Sequence, residues 1–497
     1  MRWANFLHIY QPADQQPDIL EAVVIQSYRP ILKGLLDNPK ARLTLNINGS
    51  LLELFDHGGY RDLIEMMREL IGQGRLEITC SAKYHALLPF LEEKEIRRQI
   101  EQNLDTLKFY FGADFNPEGF FPPEMAYSDK VGKIISELGF KWIIIDEIAY
   151  NGKPNQVKYD RLYTLDGTDL KVFFRERNPS NMIMSAVVRS AASLTEVLGK
   201  ELTEDRYLLT GMDGETFGHH RPGLEKMLFE IFASPELELV KVSDLLSIYT
   251  ETETVYPIES TWASSQEDIE KHIQFLSWND PENEIHHYQH DMINLALRTV
   301  YSMNEHEANY LLVRKMMDKA LASDHFWWAS AKPWWSLEEI ERGAFACLDI
   351  VRNVPNVEPH DIQTSHMLYE KIVSTAFNWK RTGKIFKMTQ ERNKILRIPF
   401  KERTLEKGGH EEAVYQAFID LIKNEEKKAS AKREYEKAIL WRDAVWKIEN
   451  KSDIYDTVHA IELLRLELPH EEIEKMLDKY TAEYYRIRGG QPEQRGN

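Results

Sequence analysis

The chain has 497 residues, 43% hydrophobic and 29% charged, which is long enough for two or three folded domains and is not the composition of a disordered or fibrous protein. A net charge of -18 without a basic stripe excludes nucleic acid as a partner, since it would repel a phosphate backbone. Two cysteines cannot build a disulfide framework, no stretch is apolar enough to span a membrane, and no secretory leader opens the sequence, so a cytoplasmic protein is expected.

The first half alternates short apolar runs with amphipathic stretches. RWANFLH reads as a strand, Leu20, Val24, Tyr28, Ile31 and Leu35 recur at helical spacing, and ARLTLNIN and GRLEITCSA return as strands. Ile96, Ile100, Leu104, Leu107 and Phe111 mark another helix, followed by the strand candidates EGFF, KWIIIDE, LKVFFRER and RYLLTGMD. This rhythm predicts parallel β/α units, and without a glycine-rich phosphate turn after the first strand a barrel is favoured over a doubly wound sheet. The strand signal fades near residue 255. The expected division is a catalytic β/α barrel over 1–255, a helical domain over 256–356 that carries the Trp-rich HFWWASAKPWW, and a charged helical region over 357–497. In that last region Ala438, Trp441, Val445 and Ile448 form an apolar stripe, and the residues after Gly489 read as a disordered tail.

Reactive groups of a β/α barrel sit where strands end and loops begin. The polar residues that follow apolar runs are His8 with Gln11, Lys83 to His85, Glu124 after GFFPP, and Asp213 with Glu215 after RYLLTGM. Two carboxyls on different strand ends are the material of glycoside hydrolysis, one to protonate the leaving oxygen and one to attack or to activate water. Taken alone, Glu124 after two prolines is equally a helix cap, and Asp213-Gly214 equally a turn. Asp146 and Glu147 after KWIII, and Arg175 and Arg177 after LKVFF, project from strand ends in the same way. His286 and His290 at i, i+4 spacing, and His219 and His220 near Asp213, raise a zinc-dependent deacetylase, but the required Asp-His-His set is absent from the early strands, so neither metal nor cofactor is expected.

Five segments in order, HIYQP, GRLEITCSAKYHALLP, FFPPEMAYS, MDGETFGHH and HFWWASA, resemble the five sequence regions of glycoside hydrolase family 57. The resemblance implies an incomplete, seven-stranded β/α barrel followed by helical domains. It also implies a retaining enzyme for α-linked glucans, of α-amylase, 4-α-glucanotransferase or branching type, with Glu124 as nucleophile and Asp213 as general acid/base. His8, Gln11, His85, Asp146, Glu215, Trp262, His325 and Trp328 are the other residues expected near the sugar. Two departures are visible: Asn178-Pro179-Ser180-Asn181 replaces a Leu-Ser-Asp sequence common in the family, and Cys80 to Tyr84 lacks the two glycines that often precede the aromatic pair there. The alternatives are a non-catalytic glycan- or protein-binding homologue and an enzyme for another α-glycoside, such as an α-galactoside.

Overall fold

The computed structural model describes residues 1–388 apart from Val187, Lys332 and Pro333, then 412–450, Leu468 and Lys475. The chain divides into two compact units, one of residues 1–220 with 224–385, the other of 221–223 with 386–497. In the second unit the helices Glu412–Ala431 and Tyr435–Asn450 pack on each other, with Trp441, Ala444 and Val445 buried. The side chain of Ile448 and the residues after Gly489 lie outside what is described.

The first unit is α/β. Ten strands occur among its described residues: β1 (Arg2–Ile9), β2 (Leu43–Ile47), β3 (Leu76–Thr79), β4 (Gly119–Phe120), β5 (Trp142–Asp146), β6 (Leu162–Leu165), β7 (Lys171–Arg175), β8 (Tyr207–Asp213), β9 (Glu238–Val240) and β10 (Thr252–Val255). One sheet runs β3-β2-β1-β8, all parallel, and β9 pairs with Arg2–Ala4 of β1 while β2 pairs with its far half, Phe6–Ile9. The other runs β10-β6-β7-β5-β4, in which only β6 and β7 are antiparallel. Seven of these strands were legible as apolar runs. The sequence reading missed β6, whose tight return through Asp166-Gly167 into β7 makes an antiparallel pair, and the short, charge-bearing β9 and β10.

The sheets meet at two places. Cys80 N–H donates to Gly119 O and Phe121 N–H to Cys80 O, both at 2.9 Å, which joins β3 to β4 in a parallel bridge. At the other side Glu176 N–H, just past β7, donates to Leu209 O of β8 at 2.8 Å. Both sheets face one apolar core, to which β1 gives Ala4 and Phe6, β5 Trp142 and Ile144, β7 Phe173, and β8 Tyr207 and Leu209, alternate residues as the pleat requires. The opposite faces are buried as well, so β5 reads as a continuous apolar run up to Asp146, and β1 is buried from Trp3 to Ile9 with Asn5 and His8 as its buried polar residues. Gly119 has to be a glycine because a Cβ there would sit 2.1 Å from the Trp142 ring. After β10 come the helices Glu284–Tyr301, Tyr310–Ala320, Leu337–Asn353 and Pro359–Thr382. No helix among the described residues is long and apolar enough to cross a membrane.

Register sets the site. His8 on β1 is the direct partner of Asp213 on β8, and Asp146 on β5 is the partner of Arg175 on β7, all at the carboxyl ends of their strands.

Candidate active site

Glu124 follows β4 through Phe121-Pro122-Pro123. Two prolines cannot donate to a ladder and hold the chain extended up to the turn, where the backbone reverses hand: Glu124 has φ 62°, ψ 17°, and Met125 has φ 49°. A non-glycine residue in this left-handed region costs about 1 kcal/mol, so it persists only where its surroundings hold it. Trp262 does so at both ends of the residue. Its indole Nε1–H donates to Glu124 Oε2 at 2.7 Å, and its backbone N–H to Glu124 O at 3.2 Å. Burial, then the negative charge of Asp213, push the Glu124 carboxyl up to about 8.

Asp213 ends β8. Burial raises its carboxyl to about 6, against the opposing pull of the Arg175 guanidinium. Arg175 is itself fully fixed, with Nε donating to Gly211 O (2.6 Å) and one terminal nitrogen to Asp146 Oδ2 (2.7 Å). Asp146 also takes Arg177 Nε (2.8 Å) and Ile148 N–H (3.0 Å) on Oδ1. Its role is thus to orient two arginines rather than to meet a sugar. Arg177 in turn donates to Trp262 O at 3.0 Å, which ties the Asp213 side of the site to the clamp on Glu124.

Glu215 is buried, and its Oε1 accepts from Gln11 Nε2 (3.1 Å), from the Tyr28 hydroxyl and more distantly from Tyr10 N–H (3.5 Å). Burial and the nearby Asp213 charge raise it to about 8. Tyr28 reaches it because one turn of π-helix, Val24–Tyr28, interrupts the helical run between Pro17 and Asp37, and the same turn aims Ser27 Oγ at Gly214 O (2.9 Å). Nothing in the residue types of VIQSY signals that extra residue per turn.

His8 and His85 form a polarised chain. His8 Nδ1–H donates to Asn46 Oδ1 (2.8 Å), so its Nε2 accepts from His85 Nε2–H (3.2 Å), and His85 Nδ1 accepts from the Ser323 hydroxyl (3.1 Å). Every link is satisfied with both rings neutral. Burial agrees, lowering His8 to about 4 and His85 well below the usual histidine range. Tyr10 stacks on His85 at 4.1 Å and donates its hydroxyl to Asp324 Oδ2 at 2.6 Å. Asp324, raised to about 6 chiefly by burial, adds a further negative charge that acts on Glu124.

Of the sequence candidates, the structure therefore gathers Glu124, Asp213, Glu215, His8, Gln11, His85 and Trp262 through direct bonds or charge. His325 adjoins Asp324 but bonds to none of them. Trp328 packs with Trp327 (4.9 Å) and Trp334 (6.0 Å). Tyr10, Tyr28 and Asp324 complete the site without having been singled out, although Tyr10 and Asp324 stand within or beside the first and fifth regions, and Arg175 joins them from the strand end where it was expected to project. Lys83 is paired with Glu53 (2.7 Å). His286 accepts from Asp280 N–H (3.0 Å) and donates to Phe326 O (2.9 Å), a neutral structural ring with no valence left for zinc. Among the described residues no group of three or more His, Cys, Asp or Glu is gathered as a metal would need.

The comparisons with known proteins agree with this fold. The profile of glycosyl hydrolase family 57 matches residues 4–259, just over half of the chain. The chain belongs to glycosyl hydrolase family 57. It is 24% identical over 283 residues to a 4-α-glucanotransferase of Thermococcus litoralis, covering 54% of this chain and 42% of that one. It is 21% identical over 339 residues to an α-amylase of Pyrococcus abyssi, covering 64% and 50% respectively. The chain thus spans about half the length of these curated relatives. Among solved structures, a branching enzyme of the family from Thermococcus kodakaraensis superposes with a TM-score of 0.59 at 15% identity, over 74% of this chain and 94% of that one, which shows a shared fold.

Proposed function

We propose that the protein is a retaining enzyme for α-linked glucans, with Glu124 as nucleophile and Asp213 as general acid/base, on an incomplete barrel of seven strands in the order β8-β1-β2-β3-β4-β5-β7. The observation that carries the roles is the placing of these two carboxyls, Glu124 on the turn after β4 where Trp262 holds its Oε2, and Asp213 at the carboxyl end of β8 in register with His8. Residues 1–255 supply the barrel and 256–356 complete the site, a division supported by Trp262, Ser323 and Asp324, which all act on barrel residues. The expected boundary at 357 falls instead after residue 385: the helix Pro359–Thr382 belongs to the first compact unit, and the helices Glu412–Ala431 and Tyr435–Asn450 to the second. Two free, buried cysteines suit a cytoplasmic setting.

In the first step Glu124 attacks the anomeric carbon as Asp213 gives its proton to the departing glycosidic oxygen, and a covalent glycosyl-enzyme forms. In the second step Asp213 takes a proton from water or from a sugar hydroxyl, whose oxygen displaces Glu124. Water gives hydrolysis and a sugar hydroxyl gives transfer. Amylose, maltoheptaose and pullulan, with products resolved by length and branching, distinguish the outcomes. Shortening alone means hydrolysis, longer and shorter chains together mean disproportionation, and new branch points mean branching. Unchanged glucans would overturn the reading and direct the search to another α-glycoside or to a binding role.

One proton must reside in the carboxyl pair for this cycle. Below about 6 both groups are protonated and no nucleophile exists, and above about 8 both are ionised and no acid exists. The pH profile of kcat/KM is accordingly expected to be a bell with limbs near 6 and 8. In the empty site the higher value belongs to Glu124, so the productive form, with the proton on Asp213, is the minor one of the two singly protonated states. The limbs are the same for either form, and only the height of the bell reports their ratio. A flat profile between pH 5 and 9 would remove the shared proton from the mechanism.

A further inference from the structure

The two arginines beside the candidate acid/base share one carboxylate. Asp146 Oδ2 takes a terminal nitrogen of Arg175 (2.7 Å), and its Oδ1 takes Arg177 Nε (2.8 Å). Glu147, the next carboxyl along the chain, is turned to backbone instead, accepting from Arg177 N–H and Asn155 N–H, both at 2.8 Å. The other terminal nitrogen of Arg175 donates to Asn181 Oδ1 at 2.9 Å and more distantly to Met184 Sδ (3.5 Å), two acceptors without charge. Asn181 is exposed, whereas the guanidinium side chain it covers is only 2% exposed. An amide in this place satisfies the geometry of the cation but leaves its field unmatched.

The arrangement is tied to the strand that carries Asp213. Arg175 Nε donates to Gly211 O, and a Cβ on Gly211 would come within 3.3 Å of the arginine side chain, so Arg175 lies against β8 two residues before its end. Ser180 Oγ accepts Gly211 N–H (3.1 Å) and donates to Glu176 O (2.6 Å), which holds the helix Arg177–Met184, and Asn181 with it, against the same strand. Ser180 also keeps the middle place of the Leu-Ser-Asp sequence common in the family, so Asn181 stands where that sequence has its carboxylate. The ionisable groups around Asp213 are the neutral His8 ring on β1, Tyr28 on the π-turn, Glu215 beyond β8, Glu124 beyond β4 and Arg175 on β7. Of these only Arg175 is a cation. Its charge counts most in the second half of the cycle, when Glu124 is esterified and Asp213 must be ionised to act as base.

We propose that Asn181 is a positioning residue for the general acid/base: its amide holds Arg175 in place without neutralising it, which leaves the guanidinium charge to stabilise the Asp213 carboxylate. The proposal rests on the role given to Asp213 above.

The test adds the missing charge. Asn181→Asp keeps the side-chain shape at an exposed position and puts a second carboxylate on Arg175, so less of the guanidinium field reaches Asp213, which then keeps its proton to higher pH. The first proton lost by the doubly protonated pair is mainly that of Asp213. The acid limb of kcat/KM for maltoheptaose, near 6 in the wild type, is therefore expected to rise by roughly half a pH unit or more. The alkaline limb near 8 reports Glu124 and should stay within about 0.2. Asn181→Ala removes the acceptor but adds no charge, and its acid limb should keep the wild-type place whatever happens to kcat. An acid limb that is unmoved or lowered in Asn181→Asp, or raised equally in Asn181→Ala, would overturn the proposal. Should the wild-type protein turn over no glucan, the proposed function fails by itself, and Asp213 is titrated directly. Its carboxyl 13C resonance in protein labelled at aspartate, assigned by its loss in Asp213→Asn, should then move to a higher midpoint in Asn181→Asp and not in Asn181→Ala. Equal midpoints in the wild type and both variants would overturn the charge-sparing role.

Discussion

A Glu124→Gln variant is expected to lose glucan turnover by roughly ten-thousand-fold or more, because no other group can supply the covalent bond to the anomeric carbon. The amide oxygen can still accept the Trp262 indole N–H, so the turn should keep its shape. Stability is expected to move in the opposite direction to activity. The Glu124 carboxyl is raised from its usual 4.5 to about 8, so the folded protein binds that proton more tightly than the unfolded chain does. Its favourable contribution is complete below the unfolded value and is lost as pH rises through 8. An uncharged glutamine escapes that loss. The variant should therefore melt at or above the wild-type temperature at pH 9 and close to it at pH 5. Measurable turnover in a preparation free of wild-type enzyme would sink the assignment, and a lower melting temperature at pH 9 would contradict the cost of burying the charge.

For Asp213→Ala the expected loss depends on the leaving group. A general acid assists a poor leaving group and is nearly redundant for a good one, so activity on glucan chains should fall on the order of a thousand-fold, while an α-glycosyl fluoride still forms the glycosyl-enzyme at close to the normal rate. The adduct should then accumulate, since the base that activates water or an acceptor sugar is missing, and mass spectrometry of the quenched protein should find it on Glu124. Equal losses on glucan and fluoride with no adduct would reassign the acid. Glu215 would be the candidate, because both oxygens of Asp146 are occupied by arginines and a backbone N–H.

What could be read from the sequence follows from how local its physical cause is. His8, Asp213, Asp146 and Arg175 each follow an apolar run, and a buried strand that ends in a polar residue announces its own carboxyl end. The order of those strands, and therefore the pairing of His8 with Asp213, is not local and came only with the sheets. Tyr10 and Asp324 are 314 positions apart, and their bond depends on two elements docking correctly. The π-turn that delivers Tyr28 to Glu215 is a change of one residue per turn with no required residue type. Asp146 shows the reverse error: its position at a strand end was read correctly, but which partners would occupy it was not visible, and two arginines turn an apparent sugar ligand into a scaffold.

The left-handed turn at Glu124 has an evolutionary consequence. The one conformation that presents this carboxyl is the one glycine adopts without penalty, so the polypeptide would be more comfortable with a residue that has no chemistry. On the proposed assignment, catalysis is thus maintained here against a small standing gradient of about 1 kcal/mol. In a lineage released from the need to process its substrate, position 124 should be among the first to drift, toward glycine or asparagine, while the strands, the arginine clamp on Asp146 and the histidine chain persist. A homologue with that replacement on an otherwise intact framework would mark a protein that has given up turnover while keeping its fold.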